Sequence, residues 1–144
     1  MREKRKILLV EDDDNDRTFF SIAIRAIGTP ATLQIVPDGQ QAIDYLEGKK
    51  IFADRSKYPV PDVIVLDLNL PIVNGFQFLD WHSTSQFSSV PVVVLEGTGR
   101  QEDYQKALAL GATKIFFKPI QLEKLISIAK EISILDFTQL GAVS

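Results

Sequence analysis

Five short apolar segments, separated by amphipathic stretches, constrain the fold more than any other feature of this sequence. Each is rich in valine, isoleucine or leucine, and most lack the polar alternation of a half-solvated strand. Continuous apolar runs of this length are typical of strands that are buried on both faces, as in a parallel sheet. The predicted strands cover residues 7–10, 33–36, 63–66, 92–95 and 115–117.

Apolar stripes with helical spacing fill the intervals between these strands. Strand and helix thus alternate five times, which predicts an α/β fold with right-handed βαβ units and helices on both faces of an open parallel sheet. A less periodic helix is predicted for residues 75–81, and a glycine stands where three of the other helices should end. The stripes lie at residues 19–27, 42–46, 104–108 and 122–132, and the glycines are Gly28, Gly48 and Gly111.

The chain of 144 residues fits one domain. We expect a single domain over residues 1–144, with a core of about residues 6–134. Residues 49–58 are expected to form a long basic loop, and the weakly patterned tail at residues 136–144 is expected to be mobile.

Composition excludes several classes of site. The chain has no cysteine, so it has no disulfides, thiolate zinc sites or cysteine nucleophile. The net charge of -3 argues against a nucleic-acid partner. The basic start precedes only a short apolar run, whereas a secretory segment needs about seven to fifteen apolar residues and a membrane span about 18. We therefore expect a cytoplasmic protein with no membrane association.

Charged side chains stand at the ends of four of the five predicted strands. Ligands of open α/β sheets bind beyond the carboxyl ends of the strands, so these side chains should share one site. Alone, each acid could cap a helix or lie in a solvated turn. Together, their oxygen ligands suit Mg²⁺ or Mn²⁺, and an aspartate can accept a phosphoryl group that a lysine neutralises. The residues are Glu11, Asp12, Asp67, Glu96 and Lys118.

Three motifs, in this order, resemble those of response-regulator receiver domains. They are Leu-Leu-Val-Glu-Asp-Asp at residues 8–13, Val-Leu-Asp-Leu-Asn-Leu-Pro at residues 65–71 with Asn74-Gly75 after it, and Phe-Lys-Pro-Ile at residues 117–120. The match spans roughly residues 6–134. The resemblance implies a CheY-like, flavodoxin-like sheet in the order 2-1-3-4-5. It also implies a stand-alone two-component signalling protein that assists its own phosphorylation and dephosphorylation only, rather than an enzyme.

The resemblance implies a role for each matching residue. Asp67 corresponds to the phosphoacceptor, which is also a metal ligand. Glu11 and Asp12 correspond to the metal-binding acid pair, with Asp12 as the direct ligand and Glu11 acting partly through water. Asn69 corresponds to the residue whose backbone carbonyl completes the metal site, and Lys118 to the lysine that contacts the phosphoryl group.

Two positions depart from the family pattern. Receivers usually have Thr or Ser where Glu96 stands, with a hydroxyl that bonds the phosphoryl group; Thr98 is a poorly placed substitute. They often have Tyr or Phe where Ile115 stands. Placing a carboxylate about 4 Å from a phosphoryl group costs on the order of several kcal/mol of electrostatic free energy. We therefore expect phosphorylation signalling to be weakened or altered. In the unphosphorylated protein, we expect Glu96 to pair with Lys118. Alternatively, Glu96 turns into solvent with little effect, or holds an active-like state without phosphate.

The resemblance also implies partners. The phosphoryl donor would be a histidine kinase or a phosphotransfer protein. The loop at residues 49–58 resembles that of stand-alone receivers that work with phytochrome-type kinases. A downstream protein would bind the face of the fourth helix, fifth strand and fifth helix, and a homodimer is compatible with the family. This face would include Tyr104, Lys106, Lys114 and Lys124.

Other functions predict different residues. A phosphohydrolase that forms an aspartyl-phosphate would have a second acid where Asn69 stands, and a cap insertion. A degenerate, phosphorylation-independent binding module is favoured by Glu96 and Ile115 but opposed by the acids and lysine at the strand ends. The one histidine, His82, is expected at the surface or rim. Residues 97–99 lack the length and the lysine of a phosphate-binding P-loop.

Overall fold

The computed structural model describes residues 4–134, in which strands and α-helices alternate and one short 3₁₀ helix, η1, interrupts the pattern. The predicted mobility of residues 136–144 lies outside this part of the chain. The elements are β1 Arg5–Val10, α1 Asp14–Ala26, β2 Ala31–Val36, α2 Gly39–Glu47, η1 Lys50–Ala53, β3 Val63–Leu66, α3 Gly75–Thr84, β4 Val92–Glu96, α4 Gln101–Ala109, β5 Lys114–Phe117 and α5 Leu122–Ile134.

The five strands form one parallel sheet in the order β2-β1-β3-β4-β5. This confirms the predicted fold and strand order. In the centre of the sheet, Leu9 of β1 pairs with Ile35 of β2 and Val65 of β3, and Val65 pairs with Val93 of β4. Because all strands run the same way, their carboxyl ends lie along one edge, and residues that directly follow different strands become neighbours.

Alternate residues of the strands supply two hydrophobic layers, one on each face of the sheet. The apolar runs of β1, β3 and β4 are wholly buried, as predicted, whereas the edge strands β2 and β5 are half-buried. One face packs on α2, α3 and α4 through residues that include Leu8, Ile64, Val94, Leu46, Phe78 and Ala107. The other face packs on α1 and α5 through residues that include Leu9, Val65, Val93, Phe20, Leu125 and Ile132.

Residues 49–58 are more ordered than the predicted loop. Helix α2 ends at Gly48, whose φ of 67° lies in the left-handed region that favours glycine. Phe52 of η1 is buried and lies with its ring 5.1 Å from that of Tyr45 and 5.2 Å from that of Tyr58, measured between centroids. These aromatic contacts, which a polar and basic sequence pattern does not reveal, fix the segment against α2.

None of the helices in residues 4–134 is long and apolar enough to cross a membrane.

Candidate functional site

Backbone hydrogen bonds continue the sheet by one residue beyond three of its strands and so fix the functional side chains. The amide of Glu11 donates to the carbonyl of Val36 at 3.0 Å, and the amide of Asp67 donates to that of Val10 at 3.1 Å. The amide of Lys118 donates to the carbonyl of Glu96 at 2.7 Å. The parallel sheet thus brings the predicted acids and lysine together at its carboxyl edge.

Three carboxylates at this edge form a candidate metal centre. Glu11, Asp12 and Asp67 each offer an oxygen atom, and these atoms lie within 4.8 Å of one another. Glu11 is buried, Asp67 is half-buried and Asp12 is exposed, so the cluster opens to solvent on the side of Asp12. A set of carboxylate oxygens fits a hard divalent cation such as Mg²⁺ or Mn²⁺.

Lys118 lies at the centre of these negative charges. Its Nζ donates to Glu11 Oε1 at 2.8 Å and to Asp16 Oδ2 at 3.0 Å, and it lies 3.5 Å from Asp67 Oδ2. The contacts with Glu11 and Asp67 join residues that the sequence predicted to meet. The contact with Asp16 was missed, because Asp16 was read as one of several acids at the start of α1. Its place in the first helical turn after β1 was the available signal.

Burial and charge shift the ionisation of this pair. Burial raises the pKa of Glu11 to about 7, and the negative charge of Asp67 adds to this effect, while Lys118 opposes it. Burial alone would lower the pKa of Lys118, but its carboxylate partners Glu11, Asp67 and Asp16 outweigh burial and raise that pKa. The lysine therefore stays cationic at neutral pH and can receive an anionic group.

The phosphoacceptor candidate Asp67 is oriented by the turn that follows it. Its Oδ1 accepts a hydrogen bond from the amide of Asn69 at 3.1 Å, while its Oδ2 faces Lys118. Helix α3 begins close by, since the amide of Gly75 donates to the carbonyl of Leu68 at 2.9 Å. A Cβ atom at Gly75 would lie 2.7 Å from the carbonyl oxygen of Asp67, so only glycine allows this close approach.

Glu96 is buried and bonds its own loop, which corrects two sequence expectations. Its Oε2 accepts hydrogen bonds from the Thr98 amide at 2.7 Å, the Thr98 hydroxyl at 2.7 Å and the Gly99 amide at 3.1 Å. The expected pairing with Lys118 is wrong in this structure, because the lysine bonds other acids. The alternative that Glu96 turns into solvent is also wrong, since 2% of the residue is exposed.

Two further residues that stood out in the sequence are His82 and Ile115. His82 is 3% exposed, so its predicted place at the surface or rim is wrong. Its Nε2 lies 2.9 Å from the carbonyl oxygen of Val90. This polar contact replaces a hydrogen bond with water, so the imidazole can be buried. Ile115 is half-buried and packs against the layer formed by α2, α3 and α4, while Phe116 packs on the opposite layer.

The charged residues at the carboxyl edge of the sheet line an open cleft of about 380 Å³. Negative charges on one side, a single ammonium at the centre and exposed backbone beyond β4 make the cleft suited to a cation and an anion bound side by side. Its lining residues are Glu11, Asp12, Asp13, Asp16, Asp67, Asn69, Glu96, Gly97, Thr98 and Lys118.

Comparison with known proteins identifies the family that carries this arrangement. The family model described as Response regulator receiver domain matches residues 7–130. The solved structure of the phosphorylated cyanobacterial phytochrome response regulator RcpA is 31% identical, with a TM-score of 0.81, over 90% of this chain and 91% of that one. The Mn²⁺-bound form of response regulator Rcp1 is 26% identical, with a TM-score of 0.79, over 91% and 93% of the two chains.

A curated relative is much longer than this chain. The Regulator of RpoS from Escherichia coli (strain K12) is 29% identical over 117 residues, which are 81% of this chain but 31% of that protein. The chain therefore spans about a third of the length of this relative.

Proposed function

Because this chain belongs to the response-regulator receiver domain family of two-component signalling, we propose that it accepts a phosphoryl group on Asp67. The observation that carries the proposal is the position of Asp67, with one carboxylate oxygen facing the ammonium of Lys118 and the other held by the amide of Asn69. The two contacts orient a nucleophile next to a fixed positive charge.

The candidate metal centre supplies the second half of the proposal. Glu11, Asp12 and Asp67 would hold Mg²⁺, with Mn²⁺ as a substitute, and the backbone carbonyl of Asn69 would complete the set. When bound, the cation would neutralise charge on the phosphoryl oxygens during transfer. The carboxylate-only donor set supports this assignment, as does the Mn²⁺-bound Rcp1 among the similar structures.

Three residues would have separate roles in the transfer of the phosphoryl group. A carboxylate oxygen of Asp67 forms the new bond to phosphorus, and the bond from phosphorus to the donor breaks, its electron pair leaving with the donor. Lys118 neutralises the transferred group as a point charge. Glu96, whose Oε2 accepts hydrogen bonds from residues 98 and 99, places a carboxylate where a hydroxyl donor would help, so we expect slow transfer.

We further propose that the chain acts as a cytoplasmic signalling phosphoacceptor rather than as an enzyme with a separate substrate. A histidine kinase, of phytochrome type by analogy with RcpA, or a phosphotransfer protein would supply the phosphoryl group. The face of α4, β5 and α5 would bind a downstream protein. On this face Lys114 bonds Glu131 at 2.6 Å, and Lys106 lies over the ring of Phe76, 4.4 Å from its centroid.

Phosphorylation by a small-molecule donor tests the proposal without knowledge of the kinase. The purified protein is incubated with acetyl phosphate and Mg²⁺, and its intact mass is measured. We expect one added phosphoryl group, and none after chelation of the metal or in Asp67→Asn. If no group is added under these conditions and Mg²⁺ does not bind by titration, a phosphorylation-independent binding module replaces the proposal.

A further inference from the structure

The ammonium of Lys118 has three protons to donate, and the structure provides partners for two of them. They go to Glu11 at 2.8 Å and to Asp16 at 3.0 Å. The third donor position is left for Asp67, the proposed phosphoacceptor, whose Oδ2 lies 3.5 Å from Nζ. Glu11 and Asp16 together therefore orient the lysine toward the phosphoacceptor.

Asp16 differs from the other two partners of Lys118, because it does not belong to the candidate metal centre. It lies in the first turn of α1, where its amide donates to Oδ1 of the N-cap residue Asp13 at 2.9 Å. Its position is thus set by the start of a helix. Its side chain is 40% exposed, and that of Lys118 is 20% exposed.

We propose that Asp16 is a positioning residue that keeps Lys118 at the phosphoacceptor when a divalent cation is bound. The cation and the ammonium would compete for Glu11, since both positive charges need the same buried carboxylate. Asp16 lies outside the candidate metal centre, so its carboxylate would remain bonded to Lys118 when the cation is bound. Within residues 4–134, Lys118 forms ion pairs with Glu11, Asp16 and Asp67 only, so no further acid replaces this carboxylate.

Loss of Asp16 would release the lysine because its stem is flexible. A lysine side chain has a flexible four-carbon stem and a strongly hydrated ammonium group. Without a carboxylate partner, such an ammonium at the rim of an open cleft turns toward water. The inference rests on the proposed function of Asp67, because it concerns the approach of Lys118 to the transferred group.

The chain offers a matched control in the same helical turn. Asp14 also carries a negative charge in the first turn of α1, but its side chain is 90% exposed and bonds Arg17. Substitution of Asp14 removes the same favourable charge from the start of the helix without touching Lys118. Any effect of the helix dipole is therefore common to both positions.

Phosphorylation kinetics of Asp16→Ala, Asp16→Asn and Asp14→Ala test the inference. With saturating Mg²⁺ and a range of acetyl phosphate concentrations, Asp16→Ala should lower the maximal rate about three- to tenfold, the scale of a partly exposed charge-assisted bond. The half-saturating concentration should change little. Asp16→Asn, which keeps an oxygen acceptor, should recover most of the rate, and Asp14→Ala should match the wild type.

A second readout does not depend on phosphorylation. The protein is labelled with ¹⁵N-lysine, and Lys118→Met assigns the signal of Lys118. In the Mg²⁺-loaded wild type and in Asp14→Ala, NMR should show an ammonium signal of Lys118 whose protons are protected from exchange with water. The signal should be lost in Asp16→Ala. The inference is overturned if Asp16→Ala equals Asp14→Ala in both measurements, or reacts faster than the wild type. A wild type that takes no phosphoryl group refutes the proposed function, and the NMR comparison still decides whether Asp16 holds Lys118.

Discussion

Glu96 lines the cleft at a position where receiver domains usually have a residue with a hydroxyl group. Its buried carboxylate accepts three hydrogen bonds from Thr98 and Gly99, so it stabilises the loop after β4. A phosphoryl group on Asp67 would have to share the cleft with this negative charge. We therefore expect the same side chain to stabilise the loop and to slow phosphorylation.

Two substitutions of Glu96 separate these effects. Glu96→Gln removes the charge but keeps an oxygen that can accept from the loop, so phosphorylation by acetyl phosphate should become about three- to tenfold faster with the loop unchanged. Glu96→Thr should also react faster, and the amides of Thr98 and Gly99 should exchange hydrogen more quickly. Rates come from intact mass and exchange from NMR. Unchanged rates in both variants would show that the charge is not inhibitory.

His82 links folding stability to pH. Burial lowers its pKa, although the hydrogen bond with the Val90 carbonyl opposes this effect. The folded protein therefore keeps His82 neutral at pH values where the unfolded chain, with a pKa of about 6.5, takes up a proton. The contribution of His82 to the free energy of unfolding is complete above about pH 6.5 and falls as the pH drops.

Unfolding by urea at about pH 7.5 and about pH 5.5 measures this contribution. The difference in the free energy of unfolding between the wild type and His82→Gln should shrink by about 1 kcal/mol at the lower pH. The comparison with the variant is necessary because the raised pKa of Glu11 favours the folded state as the pH falls, and both proteins share that effect. An equal difference at the two pH values would mean that His82 titrates in the folded state as in the unfolded one.

The segment at residues 49–58 shows how an element depends on one side chain. Arg55 Nη1 donates to the carbonyls of Tyr45 at 2.7 Å and Tyr58 at 3.0 Å, and its Nη2 donates to that of Leu46. Tyr45 and Leu46 lie in the last turn of α2, whereas Tyr58 lies in the segment itself. The guanidinium thus joins the end of the helix to the segment that follows it.

Replacing Arg55 tests this account of the segment. Arg55→Lys keeps the charge but loses the planar fork, so the free energy of unfolding should fall by about 1–3 kcal/mol in urea titrations. Lys57→Met, an exposed change in the same segment, should have little effect. If the two variants are equally stable, the contacts of Arg55 contribute nothing measurable to the fold.

Elements and strand ends were predictable from the sequence, while individual bonds were not. The apolar runs before Asp67 and Lys118 form strands, so both residues directly follow a strand end. Because parallel strands bring these ends to one edge of the sheet, the topology predicts the site. The bonds of Glu96 to its own loop, of Lys118 to Asp16 and of Arg55 to α2 depend on side-chain rotamers. A side chain's rotamer depends on its backbone conformation and on the groups packed around it, and a pattern of apolar and polar residues contains neither.

At the scale of the whole molecule, one edge of the sheet concentrates negative charge. Glu11, Asp12 and Asp67 lie together there, and Lys118 is the cation that the structure places among them. Like charges this close repel each other, so in the metal-free protein they should lower the free energy of unfolding. A divalent cation that binds only the folded state removes this repulsion and adds its binding free energy.

Thermal unfolding with and without Mg²⁺ measures the repulsion. The midpoint of the wild type should rise with Mg²⁺ concentration, by the equivalent of about 2.7 kcal/mol at a concentration about 100 times the dissociation constant. Asp12→Asn should unfold at a higher temperature than the wild type without Mg²⁺ and should lose the dependence on Mg²⁺. Asp14→Asn, an exposed change outside the cluster, should behave like the wild type. A wild-type midpoint that does not respond to Mg²⁺ would contradict the metal site.

The identity of the modified residue tests the central claim most directly. After reaction with acetyl phosphate and Mg²⁺, borohydride reduces an aspartyl-phosphate to homoserine, which peptide mass spectrometry locates in the sequence. The account predicts homoserine at position 67 and at no other aspartate. Homoserine at Asp12 or another acid of the cleft, or intact aspartate at every position, would contradict the assignment of Asp67 as the phosphoacceptor.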